Sequence, residues 1–215
     1  WKNFCIREKS MEEPVKFECG NIRLAGRVRD NTSGRAVVVT HPHPLYGGNM
    51  DNIVVLTMVK AFFQAGFTTL RFNFRGTGSS TGMFDNGPGE QEDVRAAVAF
   101  LRKRGAKEVW LAGYSFGAWV NSRALSSGFR ASRHIMVSPP MGLISFNNIV
   151  LSSSTALILT GQKDEIAPQD LIREKIDQWN LDTRFEVLSG CDHFYSNGLD
   201  LLRERLVNYL EQDGS

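Results

Sequence analysis

The sequence has few of the residues that build disulfide frameworks and metal sites. It contains only three cysteines, Cys5, Cys19 and Cys191, which are odd in number, widely spaced and free of any Cys-x-x-Cys motif. This usage favours reduced thiols over a disulfide framework, a zinc ribbon or a redox motif. We therefore expect a cytoplasmic protein.

Long hydrophobic runs and an excess of charge of one sign are also missing. No apolar run reaches the roughly 18 residues that a membrane-spanning helix needs. No charged-then-apolar leader opens the chain, which argues against a retained secretory signal. The formal net charge is only +2, with acids and bases interspersed. Neither nucleic acid nor a membrane is expected as a partner.

The length of the chain favours one compact domain. A chain of 215 residues can bury a sizeable core without disulfides or metal. Residues 1–14 precede the first predicted strand, and we expect them to form an N-terminal extension. Residues 15–215 are expected to form a single domain.

Apolar runs alternate with helical patterns along most of that domain. Residues 15–28 predict an antiparallel hairpin around a Gly-Asn turn. Further strands are predicted at residues 36–40, 68–74, 109–112, 134–137, 156–160 and 183–188, and helices at residues 52–64, 90–104, 116–127, 169–179 and 199–210. Asn49 or Asp51 is the expected cap of the first helix. Such alternation predicts a mostly parallel sheet with helices on both faces and its site at the carboxyl ends of the strands.

The segment Gly113-Tyr114-Ser115-Phe116-Gly117 lies between a predicted strand and a predicted helix. A sharp strand-to-helix turn exposes its middle residue, and it needs small flanking residues because the two backbones come close. The start of the helix also points N–H groups and positive dipole at a developing oxyanion. Gly-x-Ser-x-Gly is common by chance, but this setting predicts that Ser115 is a nucleophile.

A serine nucleophile needs a histidine base and an acid that orients it, in the chain order serine, acid, histidine. His193 follows the last predicted strand and is the expected base, whereas His134 begins a strand and is expected to be structural. Asp164 is the preferred acid because it ends a Gly-x-x-Asp turn after a strand, and Glu165 stays open as an alternative. Asp192 is adjacent to His193 and should point elsewhere.

The oxyanion requires two N–H donors. Phe116, the residue after the nucleophile, is expected to supply one. The other should come from the loop that begins His41-Pro42-His43-Pro44-Leu45. Because proline has no N–H, only His43, Leu45 or later residues can donate, and we favour His43.

Five segments in this order together resemble the α/β-hydrolase superfamily. They read HPHPLYGGNMDN, RFNFRGTGSSTG, GYSFGA, GQKDEIAP and CDHFY, and they span roughly residues 15 to 212. The sequence is most similar to small, capless bacterial members related to dienelactone hydrolases and short acyl esterases. Dienelactone hydrolases proper use cysteine, so serine here favours a general esterase. The chain departs from the family in carrying His-Pro-His-Pro where many members have His-Gly.

The resemblance implies an α/β-hydrolase fold with a mostly parallel sheet of about eight strands. It implies ester or thioester hydrolysis without a cofactor. We expect a small-molecule substrate and a monomer or homodimer. It assigns Ser115, Asp164 and His193 to the catalytic triad and Phe116 to the oxyanion hole.

The connection between the strands at 134–137 and 156–160 is too short for a lid domain. Leu45, Tyr46 and Met141 are candidates to line an open acyl pocket, although each could equally pack on the sheet.

Other functions fit the sequence less well. His41-x-His43 could be a metal pair, but a metal site needs further ligands and the chain has four histidines in all, so no metal is expected. The glycine-rich residues 76–82 lack the Gly-Lys-Ser/Thr ending of a phosphate-binding loop. A serine peptidase or amidase on the same triad, and a non-catalytic binding protein of the same fold, stay open as alternatives.

Overall fold

The computed structural model describes residues 11–212 of the chain, so most of the predicted N-terminal extension, residues 1–10, lies outside the described residues. In chain order the strands and helices are β1 (Glu13–Cys19), β2 (Ile22–Arg29), β3 (Arg35–Thr40), α1 (Ile53–Gln64), β4 (Thr68–Phe72), α2 (Pro88–Lys103), β5 (Glu108–Tyr114), α3 (Phe116–Ser126), β6 (His134–Val137), β7 (Thr155–Gly161), α4 (Gln169–Trp179), β8 (Arg184–Leu188) and α5 (Leu199–Gln212).

Several element ends differ from the sequence prediction, each for a local reason. Strand β1 begins two residues early, at Glu13, and the carboxylate of Glu12 accepts from the Arg71 guanidinium at 3.0 and 2.7 Å. Residues 13 and 14, predicted as part of the N-terminal extension, therefore belong to β1. The cap of α1 is Asn52, not Asn49 or Asp51, because the Asn52 side chain accepts the Val54 N–H.

The strands form one eight-stranded sheet in the order β1-β2-β4-β3-β5-β6-β7-β8. Strand β2 pairs antiparallel with both β1 and β4, and every other pairing is parallel. The predicted hairpin and the predicted mostly parallel sheet are both confirmed. The parallel strands bring their carboxyl ends to one edge, as such sheets do at their ligand sites.

The core lies on both faces of this sheet. Alternate residues of β3 point to opposite faces, since Val38 belongs to one buried cluster and Val37 and Val39 to the other. Helices α2, α3 and α4 cover the first cluster, and α1 and α5 cover the second. A central strand buried on both faces explains the continuous apolar run in the sequence.

The connection from β6 to β7, residues 138–154, contains turns but neither helix nor strand. The prediction of a fold without a lid domain is confirmed. Between residues 11 and 212, no helix combines the length and the apolar character that crossing a membrane would require.

Candidate functional site

Ser115 lies at the turn between β5 and α3, at the carboxyl edge of the sheet. Its backbone has φ 53° and ψ −119°, a region that non-glycine residues rarely occupy and that stores strain. A Cβ added to Gly113 would lie 2.5 Å from the Ala118 nitrogen, and one added to Gly117 would lie 2.6 Å from the Thr40 oxygen. The positions two residues before and two residues after Ser115 must therefore be glycine, as the motif predicts.

Ser115, His193 and Asp164 form a continuous chain of hydrogen-bonding atoms. The Ser115 Oγ lies 3.0 Å from the His193 Nε2. The His193 Nδ1 lies 2.9 Å from each carboxylate oxygen of Asp164. Because a carboxylate only accepts, Nδ1 carries the proton of the neutral ring, and Nε2 accepts from the serine hydroxyl.

Asp164 is fixed by the turn that follows β7. Its Oδ1 accepts the N–H groups of Ile166 at 3.0 Å and Ala167 at 2.7 Å. Burial would raise the pKa of this carboxyl, but the hydrogen bonds from His193 and from the main chain outweigh it and hold the pKa below its usual value. The two competing acids lie elsewhere: Glu165 is exposed, and Asp192 accepts from the N–H and hydroxyl of Ser196.

The loop that carries His193 is held by two buried tyrosines. The Tyr114 hydroxyl donates to the His193 carbonyl at 2.9 Å, and the Tyr195 hydroxyl lies 2.9 Å from the Ser138 Oγ. Burial raises the pKa of both phenols, so they stay protonated. The sequence does not indicate these roles of Tyr114, Ser138 and Tyr195, since its only signal for them is their position beside the motifs or at a strand end.

The loop after β3 is anchored by His41, which is fully buried. Its Nδ1–H donates to the Pro42 carbonyl at 2.7 Å, and its Nε2 accepts the Phe74 N–H at 3.1 Å. Burial is the main cause that lowers the pKa of this imidazole to about 4. A neutral His41 therefore connects the loop after β3 to Phe74, two residues beyond the end of β4.

Within this loop, most N–H groups already have acceptors. Leu45 donates to the His43 Nδ1 at 3.3 Å, Tyr46 and Gly48 donate to the His43 carbonyl, and Gly47 donates to the Pro44 carbonyl. Neither His43 nor Phe116 gives its N–H to any acceptor in the described part of the chain, residues 11–212. The rings of these two residues are in contact, with centroids 4.7 Å apart.

A cleft of about 360 Å³ opens over Ser115 and His193, a size within the range of small-molecule sites. Its apolar side is lined by Pro140, Leu143, Ile144, Ile166 and Phe194, and its other side by the loop after β3. Of the predicted substrate-binding residues, Tyr46 lines the cleft. Leu45 is not among the residues that line it, and Met141 packs against the core instead. No Asp, Glu, Lys or Arg is among the described residues that line the cleft.

The glycine-rich segment after β4 is braced by buried ion-pair and hydrogen-bond contacts. Asp93 is fully buried and accepts from both the Arg75 main chain at 2.9 Å and its guanidinium at 2.7 Å. The buried carboxylate of Glu90 accepts the N–H groups of Asp85 and Gly87. Arg75 therefore holds the loop near the cleft, and its charge is neutralised internally.

The remaining histidines do not form a metal site with the residues around them. In the range 11–212 no group of three or more His, Cys, Asp or Glu side chains is arranged to hold a metal ion. His41 already uses both ring nitrogens within the fold. His134 is fully buried at the beginning of β6, where burial lowers its pKa to about 3, and it lies away from the carboxyl edge.

Comparison with known proteins gives the same fold. A model of the α/β-hydrolase family matches residues 53–199. The uncharacterized protein RP471 of Rickettsia prowazekii is 33% identical over 200 residues, which cover 87% of this chain and 84% of its own. XC6422 from Xanthomonas campestris, an α/β serine hydrolase without a lid, is 28% identical with a TM-score of 0.86 over 94% of each chain. An α/β serine hydrolase homologue from Coxiella burnetii is 33% identical with a TM-score of 0.81 over 91% of this chain and 96% of its own.

Proposed function

Because the chain belongs to the α/β-hydrolase family, we propose that it is a serine hydrolase that cleaves carboxylic esters or thioesters of small acyl substrates through an acyl-enzyme intermediate. The observation that carries this proposal is the chain of contacts from Ser115 through His193 to Asp164, with 3.0 Å between Oγ and Nε2 and 2.9 Å between Nδ1 and the carboxylate. That geometry suits proton transfer in both halves of an acyl transfer reaction.

In the first half-reaction the Ser115 hydroxyl gives its proton to His193 and Oγ bonds to the acyl carbon. His193 then passes the proton to the leaving oxygen or sulfur, and the bond from that atom to the acyl carbon breaks. In the second half-reaction His193 takes a proton from water as the water oxygen bonds to the acyl carbon. His193 then gives that proton to the Ser115 Oγ as the bond between Oγ and the acyl carbon breaks, which releases the acid. Asp164 keeps the imidazole in the required tautomer and stabilises its positive charge.

The oxyanion is assigned to the N–H groups of Phe116 and His43. Phe116 supports this role as the first residue of α3, where N–H groups have no partner inside the helix. His43 is supported by elimination among the loop residues that line the cleft, since Pro42 has no N–H and the N–H groups of Tyr46, Gly47, Gly48 and Asn52 are already used. Two fixed donors of this kind stabilise charge in the transition state without reorganisation.

The size and lining of the cleft are suited to a small and uncharged acyl group. It has a volume of about 360 Å³, is largely apolar and has no Asp, Glu, Lys or Arg among the described residues that line it. We also assign the enzyme to the cytoplasm, in keeping with the unpaired thiols of Cys19 and Cys191. The proposed chemistry requires no cofactor.

Labelling with a fluorophosphonate probe tests the proposal, because this reagent reacts with an activated serine. The wild-type protein should be labelled, and Ser115→Ala should not. His193→Ala should be labelled far more slowly, since the hydroxyl loses its base. Folded wild-type protein that resists the probe, or undiminished labelling of Ser115→Ala, contradicts the proposal.

Initial rates on matched esters, thioesters and amides of one acyl group distinguish the class of bond. We expect activated esters and thioesters to be hydrolysed and the amide to be inert. Faster turnover of the amide would identify a peptidase or amidase on the same site instead.

A further inference from the structure

His43 has a side chain whose chemistry the proposed mechanism does not use. Only its main-chain N–H is assigned to the oxyanion, while its imidazole is half-buried and lines the same cleft. Its ring centroid lies 4.8 Å from that of Tyr46, 5.0 Å from that of Phe84 and 4.7 Å from that of Phe116. These contacts on several sides fix the position of the ring.

The hydrogen bonds of His43 determine where its proton sits. The Leu45 N–H donates to the His43 Nδ1 at 3.3 Å, so Nδ1 is an acceptor and the proton of the neutral ring is on Nε2. Burial lowers the pKa of this imidazole, which favours the same neutral form. His43 therefore holds an N–H donor at a known ring position.

This Nε2–H has no partner within the fold. None of the hydrogen bonds in residues 11–212 includes it, and it is not among the buried side-chain atoms that lack a partner. Because His43 lines the cleft and this atom is neither hydrogen-bonded nor buried, the Nε2–H is available to a bound substrate. The cleft thus presents a fixed, uncharged donor, and its other side is apolar.

The position of His193 indicates which part of a substrate would meet this donor. His193 must give a proton to the leaving atom, so the leaving group lies on the side of His193 and its ring neighbour Phe194. The His43 ring instead contacts Phe116, on the side of the assigned oxyanion donors. The acyl group diverges from both the leaving group and the oxyanion at the reacting carbon, so we assign it to the part of the cleft away from His193, where His43 is also a lining residue.

We propose that the His43 Nε2–H is a specificity-determining donor that binds an acceptor oxygen on the acyl group, within a few bonds of the scissile carbonyl. This inference rests on the proposed serine hydrolase function and deepens it. It names the substrate class as esters or thioesters of small oxygenated acids, such as alkoxy, hydroxy or keto acids, rather than of plain alkanoic acids. An uncharged donor in an uncharged cleft does not favour a carboxylate on the acyl group.

A pair of nearly isosteric esters tests the assignment. p-Nitrophenyl methoxyacetate replaces one methylene of p-nitrophenyl butanoate by an ether oxygen, and dividing each kcat/KM by the rate of hydroxide hydrolysis removes the difference in intrinsic reactivity. For the wild-type enzyme this normalised ratio should favour methoxyacetate by roughly 3- to 10-fold, the effect of one neutral hydrogen bond. A wild-type ratio near or below one overturns the inference without any variant.

Two substitutions of His43 distinguish the roles of its two ring nitrogens. In His43→Asn the amide oxygen can replace Nδ1 as acceptor for the Leu45 N–H, but nothing replaces Nε2–H. In His43→Gln the amide N–H can replace Nε2–H. Both variants are expected to lower absolute rates, so the ratio is the readout.

The expected result is a ratio that falls to near one in His43→Asn and stays close to the wild-type ratio in His43→Gln. An unchanged ratio in His43→Asn, or a loss in both variants, overturns the role of Nε2–H. Ile53→Ala, an exposed residue at the start of α1 that does not line the cleft, is the control and should keep the wild-type ratio. Fluorophosphonate labelling of each protein distinguishes failure of the His43 inference from failure of the proposed function. If the proteins are labelled but the ratio is unchanged in His43→Asn, only the His43 inference is contradicted. If the wild-type protein is not labelled, the proposed function itself is contradicted.

Discussion

The Tyr114 hydroxyl donates a hydrogen bond to the main-chain carbonyl of His193 at 2.9 Å. The strand that ends beside the candidate nucleophile is therefore hydrogen-bonded to the loop that carries the candidate base. The two residues are distant in sequence and come together only through the packing of β5 against its neighbours. Tyr114 is 2% exposed, and its ring lies 5.5 Å from the His193 ring. This hydrogen bond positions the His193 main chain relative to Ser115, the residue that follows Tyr114.

Tyr114→Phe removes only this hydroxyl and should therefore disturb His193 without emptying the core. We expect the free energy of unfolding to fall by about 1–3 kcal/mol, because the buried carbonyl loses its partner. We expect kcat/KM for an activated ester to fall by roughly tenfold, because a small displacement of the base is costly. Urea unfolding and steady-state kinetics measure the two effects.

Tyr209→Phe is the matched control for that substitution. Tyr209 lies in α5, is 9% exposed and does not line the cleft. Its variant should keep the wild-type kcat/KM. Equal losses of activity in the two variants would show that Tyr114 acts through general stability only.

The buried His41 predicts that stability falls in mild acid. Its pKa in the fold is about 4, below the ordinary value of 6.5, so the unfolded chain binds the proton first as the pH falls. The contribution of neutral His41 is complete above pH about 6.5 and is lost progressively towards pH 4. From these values we expect a loss of about 2 kcal/mol at pH 5.

Urea unfolding of wild type and His41→Gln at pH 7 and pH 5 measures this loss. Glutamine does not titrate, so the variant should lose less stability than wild type between the two pH values. Because His41 joins the loop after β3 to the Phe74 N–H, activity should decline over the same range as the stability. If the free energy of unfolding falls equally in the two proteins between pH 7 and pH 5, His41 is not the source of the loss.

Gly48 should be essential to the shape of the loop that carries His43. A Cβ at this position would overlap the carbonyl oxygens of Pro42 and His43, which are main-chain atoms that cannot turn aside. Gly48→Ala should therefore displace the His43 N–H and lower kcat by about 10²-fold or more, the cost of losing one oxyanion donor. Gly20→Ala, in the turn between β1 and β2 where nothing lies within 4 Å of the added Cβ, should leave kcat unchanged. A Gly48→Ala enzyme with near wild-type kcat would remove His43 from the oxyanion hole.

The arrangement of the sheet was predictable because its sequence signals are local and repeated. Buried β-branched runs such as residues 36–40 alternate with amphipathic helices, and that alternation requires parallel crossovers. The order of Ser115, Asp164 and His193 along the chain was predictable too, since each follows a strand and parallel strands end at one edge. Their hydrogen-bond distances follow from the fold as a whole.

Other features depend on turn geometry that the sequence does not specify. Leu45 and Tyr46 lie in the same 3₁₀ turn, residues 44–46, and it is the geometry of this turn that makes Tyr46 and not Leu45 a lining residue of the cleft. Asn49, Asp51 and Asn52 are all suitable helix caps, and only the path of the loop selects Asn52. The contact of Tyr114 with the His193 carbonyl depends on tertiary packing, so no pattern in the sequence indicates it.

The most direct test of the proposed mechanism is detection of the acyl group on Ser115. The enzyme is mixed with p-nitrophenyl acetate, quenched in acid within milliseconds to seconds, digested and examined by mass spectrometry. We predict one acetyl group on the peptide that contains Ser115, formed together with a burst of p-nitrophenol, and neither signal in Ser115→Ala. Turnover of the ester by Ser115→Ala at the wild-type rate, or an acetyl group found only on another residue, would contradict the account.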